Sequence, residues 1–251
     1  MTHRFLNRRA ALLRSSALAL AAPVWSKPAT LGAAMLAAAG AAHSQTKLPR
    51  LVTLGGGITE MAYLLGAEGQ LVGTDTTSLF PEAAQRTAKV GYMRALSAEG
   101  LLSLKPQAII ATTEAGPPVV IDQIRSAGVS VDLIEADHTW GEVLRKLSAV
   151  GKASGREVRA RELAAQLDGR WAETLKQVAQ HKGRKPRLLF ILGHAGTPSV
   201  SGSKTAAHAL IEMCGAVNAM SGFNGYRPMT AEAMASAAPA KARAIFFDVG
   251  G

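Results

Sequence analysis

Tyr92 and Arg94 are the two side chains whose types and spacing could do chemistry together. They stand in Gly91-Tyr92-Met93-Arg94, a glycine-led stretch that reads as a loop. In extended backbone, positions i and i+2 project to the same side, so the guanidinium can approach the phenol. A nearby cation favours phenolate over phenol. Phenolate is a hard anionic oxygen ligand that suits ferric iron, including iron held in haem. The residue types alone leave a plainer alternative open, a tyrosine packed at a domain rim with an arginine stacked nearby.

Other reaction chemistries lack their motifs. Gly55-Gly56-Gly57 follows an apolar run, but no third glycine comes at dinucleotide spacing and no Gly-Lys-Ser/Thr follows, so a tight strand-to-helix turn is the reading. Gly-x-Ser-x-Gly and His-Glu-x-x-His do not occur. Cys214 is the only cysteine, which excludes an intramolecular disulfide and a cysteine-rich zinc site. His138 and His208 read as a loop residue and a helix-surface residue.

These residues need elements to hold them, and the chain supplies the elements twice. Gly91-Tyr92-Met93-Arg94 leads into Ala98-Glu99-Gly100-Leu101-Leu102-Ser103-Leu104-Lys105-Pro106 and the apolar run Ala108-Ile109-Ile110. Gly225-Tyr226-Arg227 leads into Ala231-Glu232-Ala233-Met234-Ala235-Ser236-Ala237-Ala238-Pro239 and Ala244-Ile245-Phe246-Phe247. An offset of 133 lays Arg94 on Arg227, Glu99 on Glu232 and Pro106 on Pro239. Upstream, Leu51–Gly55 and Leu188–Gly193 both read as buried strands that turn into helices. Glu99 and Glu232 each open a helix, where a carboxylate suits the helix dipole.

Short apolar runs alternating with helical stretches predict an α/β fold of two lobes with mainly parallel sheets. The lobes are expected over 48–150 and 185–251, joined by one long bridging helix over 152–183. Val158, Leu163, Leu167, Trp171, Leu175 and Val178 form one apolar stripe along that helix. A ligand is expected in the cleft between the lobes. The repeat also predicts that the second lobe is incomplete. After Pro106 the first lobe continues for ~40 residues, whereas the chain stops directly after the strand that follows Pro239.

Residues 1–44 carry Arg4, Arg8, Arg9, Arg14 and Lys27 and no acid. A basic start, alanine- and leucine-rich runs and the small-residue end Ala42-His43-Ser44 read as a signal peptide of the twin-arginine type. Arg14, Pro23, Lys27 and Pro28 keep either run short of the ~20 residues that a membrane span needs. Without this segment the chain has 23 basic and 18 acidic residues. That balance biases the surface toward anionic ligands and is too mild for a nucleic-acid binder.

Four stretches carry a resemblance to a known family. They are Leu51–Glu60, Asp75-Thr76-Thr77-Ser78 before Pro81, Val90-Gly91-Tyr92-Met93-Arg94-Ala95-Leu96-Ser97-Ala98-Glu99-Gly100, and Gly225-Tyr226-Arg227-Pro228. Across residues 48–240 the sequence resembles the periplasmic haem-binding proteins of bacterial ABC haem importers. The resemblance implies a helix-bridged, class III binding protein, a monomer in the periplasm, that delivers haem as transported ligand to a membrane permease. It implies Tyr92 as axial iron ligand, Arg94 as its hydrogen-bonding partner, and Arg227 lining the cleft from the other lobe. His194 corresponds to a histidine that some members use to hold a second haem, although a strand-end cap would also account for it. Glu99 and Glu232 correspond to the acidic residue per lobe through which the wider fold family docks on its permease. Met93, Met229 and Met234 are either porphyrin contacts or core. Two rival readings remain: a ferric-siderophore or corrinoid binding protein of the same fold, and an α/β enzyme.

Overall fold

The structure, a computed structural model, describes residues 48–193, 198–236 and 243–248. The expected signal peptide and His194 lie outside the described residues. Among the described residues, no helix is long and apolar enough to cross a membrane.

The first lobe is a four-stranded, fully parallel sheet in the order β2-β1-β3-β4, with β1 at Leu51–Thr53, β2 at Leu71–Thr74, β3 at Ala108–Thr112 and β4 at Ser130–Ile134. The central strands are apolar on both faces because helices cover both. One face packs Val52, Leu54, Ile109 and Ala111 against Leu101 of helix α2 (Ala98–Ser103) and Ile121 and Ile124 of α3 (Pro118–Ser126). The other packs Leu51 and Ile110 against Ile58 and Ala62 of α1 (Gly56–Leu64) and Leu147 and Val150 of α4 (Trp140–Ser154). Thr139 caps α4 by accepting from the Glu142 amide, and the Glu142 carboxylate accepts from the His138 amide before the cap, so one free N–H of the helix start and the amide ahead of it both find partners.

The bridging helix α5 spans Glu157–Ala179, 23 residues and about 35 Å. It is shorter than the expected 152–183, because Gly155 in left-handed backbone (φ 70°) ends α4 and starts a turn. Gly151 of α4 lies against Ala160 of α5 so closely that an added Cβ would meet the alanine methyl at 2.5 Å. Toward the other end of the helix pair, Trp140 and Trp171 stack with centroids 4.9 Å apart and planes 9° from parallel, and the Trp140 indole N–H donates to Asp168. The apolar stripe is only partly a packing face. Leu163 and Leu167 pack on the first lobe, while Val158 and Leu175 are exposed.

The second lobe centres on β5 (Arg187–Gly193), which pairs in parallel with β7 (Val217–Asn218) and with β9 (Arg243–Asp248). This repeats the way β1 pairs with β2 and β3. The departure from the expected parallel pattern is a pair of antiparallel strands, β6 (Ser199–Ser201) against β5 and β8 (Tyr226–Pro228) against β6. The described helices of this lobe are α6 (Ala206–Met213) and α7 (Ala231–Ser236). Among the described residues β9 pairs only with β5, whereas β3 is flanked by β1 and β4.

Candidate ligand-binding site

Tyr92 lies on the connection from β2 to β3, at the carboxyl edge of the first sheet. From β1 the chain passes to β2 on one side and then to β3 on the other. Ligand crevices in α/β sheets form at the carboxyl edge beside such a reversal. Gly91 adopts φ +96°, a backbone state that L side chains rarely reach. The backbone then turns, with the Ala95 amide donating to the Tyr92 carbonyl at 2.8 Å. The segment is therefore a turn rather than the extended loop expected from sequence. Even so, the Arg94 guanidinium donates to the Tyr92 hydroxyl at 2.8 Å.

The other end of the same guanidinium pairs with Glu114, on the loop after β3. Burial alone would lower the Arg94 pKa. Its hydrogen bonds to Tyr92 and Glu114 outweigh that effect and hold it above the ordinary guanidinium value. Tyr92 is 42% exposed, and its hydroxyl is held by Arg94. Met93, between the two, is buried with Leu54 and Leu96 and belongs to the core rather than to a ligand wall.

Two backbone clips and one polar knot hold this loop. Gly116 N donates to Met93 O and Leu96 N to Gly116 O, both at 3.0 Å, which ties the tyrosine loop to the Glu114 loop. On the other side Thr76 N donates to Gly91 O at 3.0 Å. Thr76 belongs to Asp75-Thr76-Thr77-Ser78, whose Asp75 is fully buried and accepts from the Gly55 amide, the Thr77 amide and hydroxyl, and the Ser78 hydroxyl. Ser78, Thr59 and Thr53 continue the knot through contacts of 2.7 and 2.8 Å. The Lys89 ammonium gives its three donors to Thr74 Oγ1, Ser78 O and Ala84 O. Burial lowers its pKa, against an opposing pull from the Asp75 charge. The knot therefore fixes the strand ends under the tyrosine and leaves no donor of Lys89 for a ligand.

In the second lobe Arg227 is on β8, exposed, with its guanidinium 4.5 Å from the Phe223 ring centroid. Among the described residues, no hydrogen bond or ion pair joins it to Tyr92 or Arg94. Glu99 and Glu232 are exposed in the first turns of α2 and α7. Glu232 accepts from its own amide and the Thr230 hydroxyl, which lowers its pKa. His138 adopts φ +56° at the start of α4, and His208 is half-buried beside Asn218. No cluster of three or more His, Cys, Asp or Glu that could hold a metal exists among the described residues. Sequence reading missed Glu114. Its one available signal was position, as an acid on the loop directly after the apolar run of β3.

The comparisons agree on fold and on kind. The chain is similar to the solved "Periplasmic heme-binding protein BhuT in complex with two hemes", at 41% identity over 79% of this chain and 76% of that one, with a TM-score of 0.73. A periplasmic heme-binding protein from Pseudomonas aeruginosa matches at 33% identity, covering 81% and 73%, also with a TM-score of 0.73. The vitamin B12-binding protein of Pectobacterium atrosepticum is 26% identical over 68% of this chain. The chain spans 59–62% of the length of the curated relatives it matches. All of these relatives are named as binding proteins rather than enzymes. The profile of the periplasmic binding proteins matches residues 51–248, both lobes and the helix between them, and the chain belongs to the periplasmic binding protein family.

Proposed function

We propose that the protein binds haem through Tyr92 in the periplasm and carries it to an inner-membrane ABC permease. The observation that carries this reading is the hydroxyl of the exposed Tyr92, held at 2.8 Å by Arg94 at the carboxyl edge of the first sheet. A phenol so placed can ligate ferric iron as phenolate, with the guanidinium balancing its charge. Similarity to two heme-binding proteins of the same fold supports the choice of ligand. Haem is an apolar plate with two carboxylates, and in this reading Arg227 meets a carboxylate from the second lobe. His194 in this reading holds a second haem. Glu99 and Glu232, exposed on matching helix starts, dock on basic residues of the permease.

Haemin titration of the full chain, followed by absorbance, tests the reading. A saturable ferric high-spin spectrum of tyrosinate type, lost in Tyr92→Phe, is expected. An identical spectrum in that variant would overturn it. Glu99→Lys should spare binding and slow transfer to permease vesicles, and equal transfer would remove the docking role. The similarity to vitamin B12-binding proteins favours one second reading, a corrinoid ligand. Saturable cobalamin binding without a haemin response would establish it.

A further inference from the structure

We propose that Glu114 is a positioning residue that sets how strongly Arg94 acts on Tyr92, and so how tightly the tyrosine holds a ferric ligand. The inference rests on the haem reading of the same site.

A guanidinium is a planar fork of five N–H donors. Here its two ends are committed to different loops, one to Tyr92 and the other to Glu114. The Glu114 loop does not drift relative to the tyrosine loop, because the Met93–Gly116 and Gly116–Leu96 backbone bonds join them. A turn closed by Ala115 N on Thr112 O fixes Glu114 to the end of β3. Tyr92, Arg94 and Glu114 therefore form a preset chain in which a third group orients the second, as in activated nucleophiles.

The electrostatic effect has a definite direction. A bare guanidinium on a coordinating phenolate would withdraw electron density from the iron–oxygen bond. Paired with a carboxylate, the same guanidinium acts as part of a neutral pair and withdraws less. The pairing also keeps Arg94 from swinging to the ligand carboxylates, which leaves those to Arg227.

Glu114→Gln removes the charge and keeps an acceptor for Arg94, and Glu114→Asp keeps both charge and acceptor. In the haemin-loaded full chain, Glu114→Gln should move the tyrosinate-to-iron charge-transfer band to shorter wavelength. It should also speed haem loss to apomyoglobin about fivefold, equivalent to about 1 kcal/mol. Glu114→Asp should stay close to the parent, and Arg94→Leu should move the band to longer wavelength. Opposite shifts in Glu114→Gln and Arg94→Leu are the signature, since a mere tether would move both variants the same way. Same-direction shifts, or an unshifted Glu114→Gln, overturn the proposal. A second arm needs no haem. Hindered-rotation NMR signals of the Arg94 guanidinium should be visible in the parent and lost in Glu114→Ala, and freely rotating signals in the parent would overturn the proposal. A parent that takes up haemin without a tyrosinate band would sink the haem reading instead, with the NMR arm still deciding the Glu114–Arg94 link.

Discussion

The two lobes begin alike and then diverge in what they surround with structure. Tyr92 and Tyr226 both follow a glycine of positive φ, +96° and +78°, and are about equally exposed, 42% and 44%. Among the described residues a guanidinium donates to the Tyr92 hydroxyl, and no side chain donates to the Tyr226 hydroxyl. Beneath Tyr92 the sheet is packed on both faces by two large apolar clusters. Among the described residues the second lobe has one smaller cluster, of Leu189, Ile191, Val200 and Met220. The polar knots differ in kind too. After β2 the buried Asp75 gathers amide and hydroxyl donors, whereas on β7 the buried Asn218 donates to the Ser201 and Gly202 carbonyls and accepts from the Met220 amide. In the proposed reading the first-lobe loop is the ligand site because a second loop, a cation and a rigid floor converge on it. The spacing differs as well, since Tyr92 and Arg94 are two residues apart whereas Tyr226 and Arg227 are adjacent.

The largest expected difference is functional. Tyr92→Phe should weaken haemin binding by at least about 100-fold, while Tyr226→Phe leaves the spectrum in place. Equal losses in the two variants, read by absorbance titration, would erase the contrast between the lobes. Next come the cores. Leu101→Ala, at a fully buried position, should cost about 3 kcal/mol, and Ile191→Val in the smaller cluster about 1 kcal/mol, read from urea unfolding curves. Swapping the knots sharpens the comparison further. Asp75→Asn turns an amino group toward the Thr77 donors, and Asn218→Asp sets a carboxylate against two carbonyls, each costing about 2 kcal/mol in the same measurement. The smallest effect concerns Asp137, whose pKa is lowered to about 2, first by the Thr139 hydroxyl and then by Arg145. A depressed acid stabilises the fold above its ordinary value near 4 and loses that contribution as pH falls toward 2. Asp137→Asn should therefore lower the melting temperature slightly at pH 7, with the gap closing by about pH 2.

Local features of the fold were legible in the sequence. The Leu51–Gly55 and Leu188–Gly193 runs are set by neighbouring residues, and the structure has them as the strands β1 and β5. The repeat made the pairing of β5 with β9 foreseeable from that of β1 with β3. The antiparallel β6 and β8 were not, because three-residue strands carry too little periodicity to separate from loop. The bridging stripe misled at its ends, since Val158 and Leu175 hold helical spacing but face solvent. At the site, Tyr92 and Arg94 were legible because both partners lie within one short loop. Glu114 was not, because its contact with Arg94 spans 20 residues and depends on two loops meeting at the sheet edge. The Asp75 knot stayed hidden for the same reason, its Gly55 donor lying 20 residues away.

The stacked Trp140 and Trp171 have an optical consequence. Two indoles held 4.9 Å apart and nearly parallel share their electronic excitation, so the pair should give an exciton couplet in the far ultraviolet that neither ring gives alone. One ring stands at the start of α4 in the first lobe and the other midway along α5. The chain therefore carries an unlabelled reporter on the seam between the first lobe and the bridging helix, and any loosening there would be read directly as the fading of that couplet.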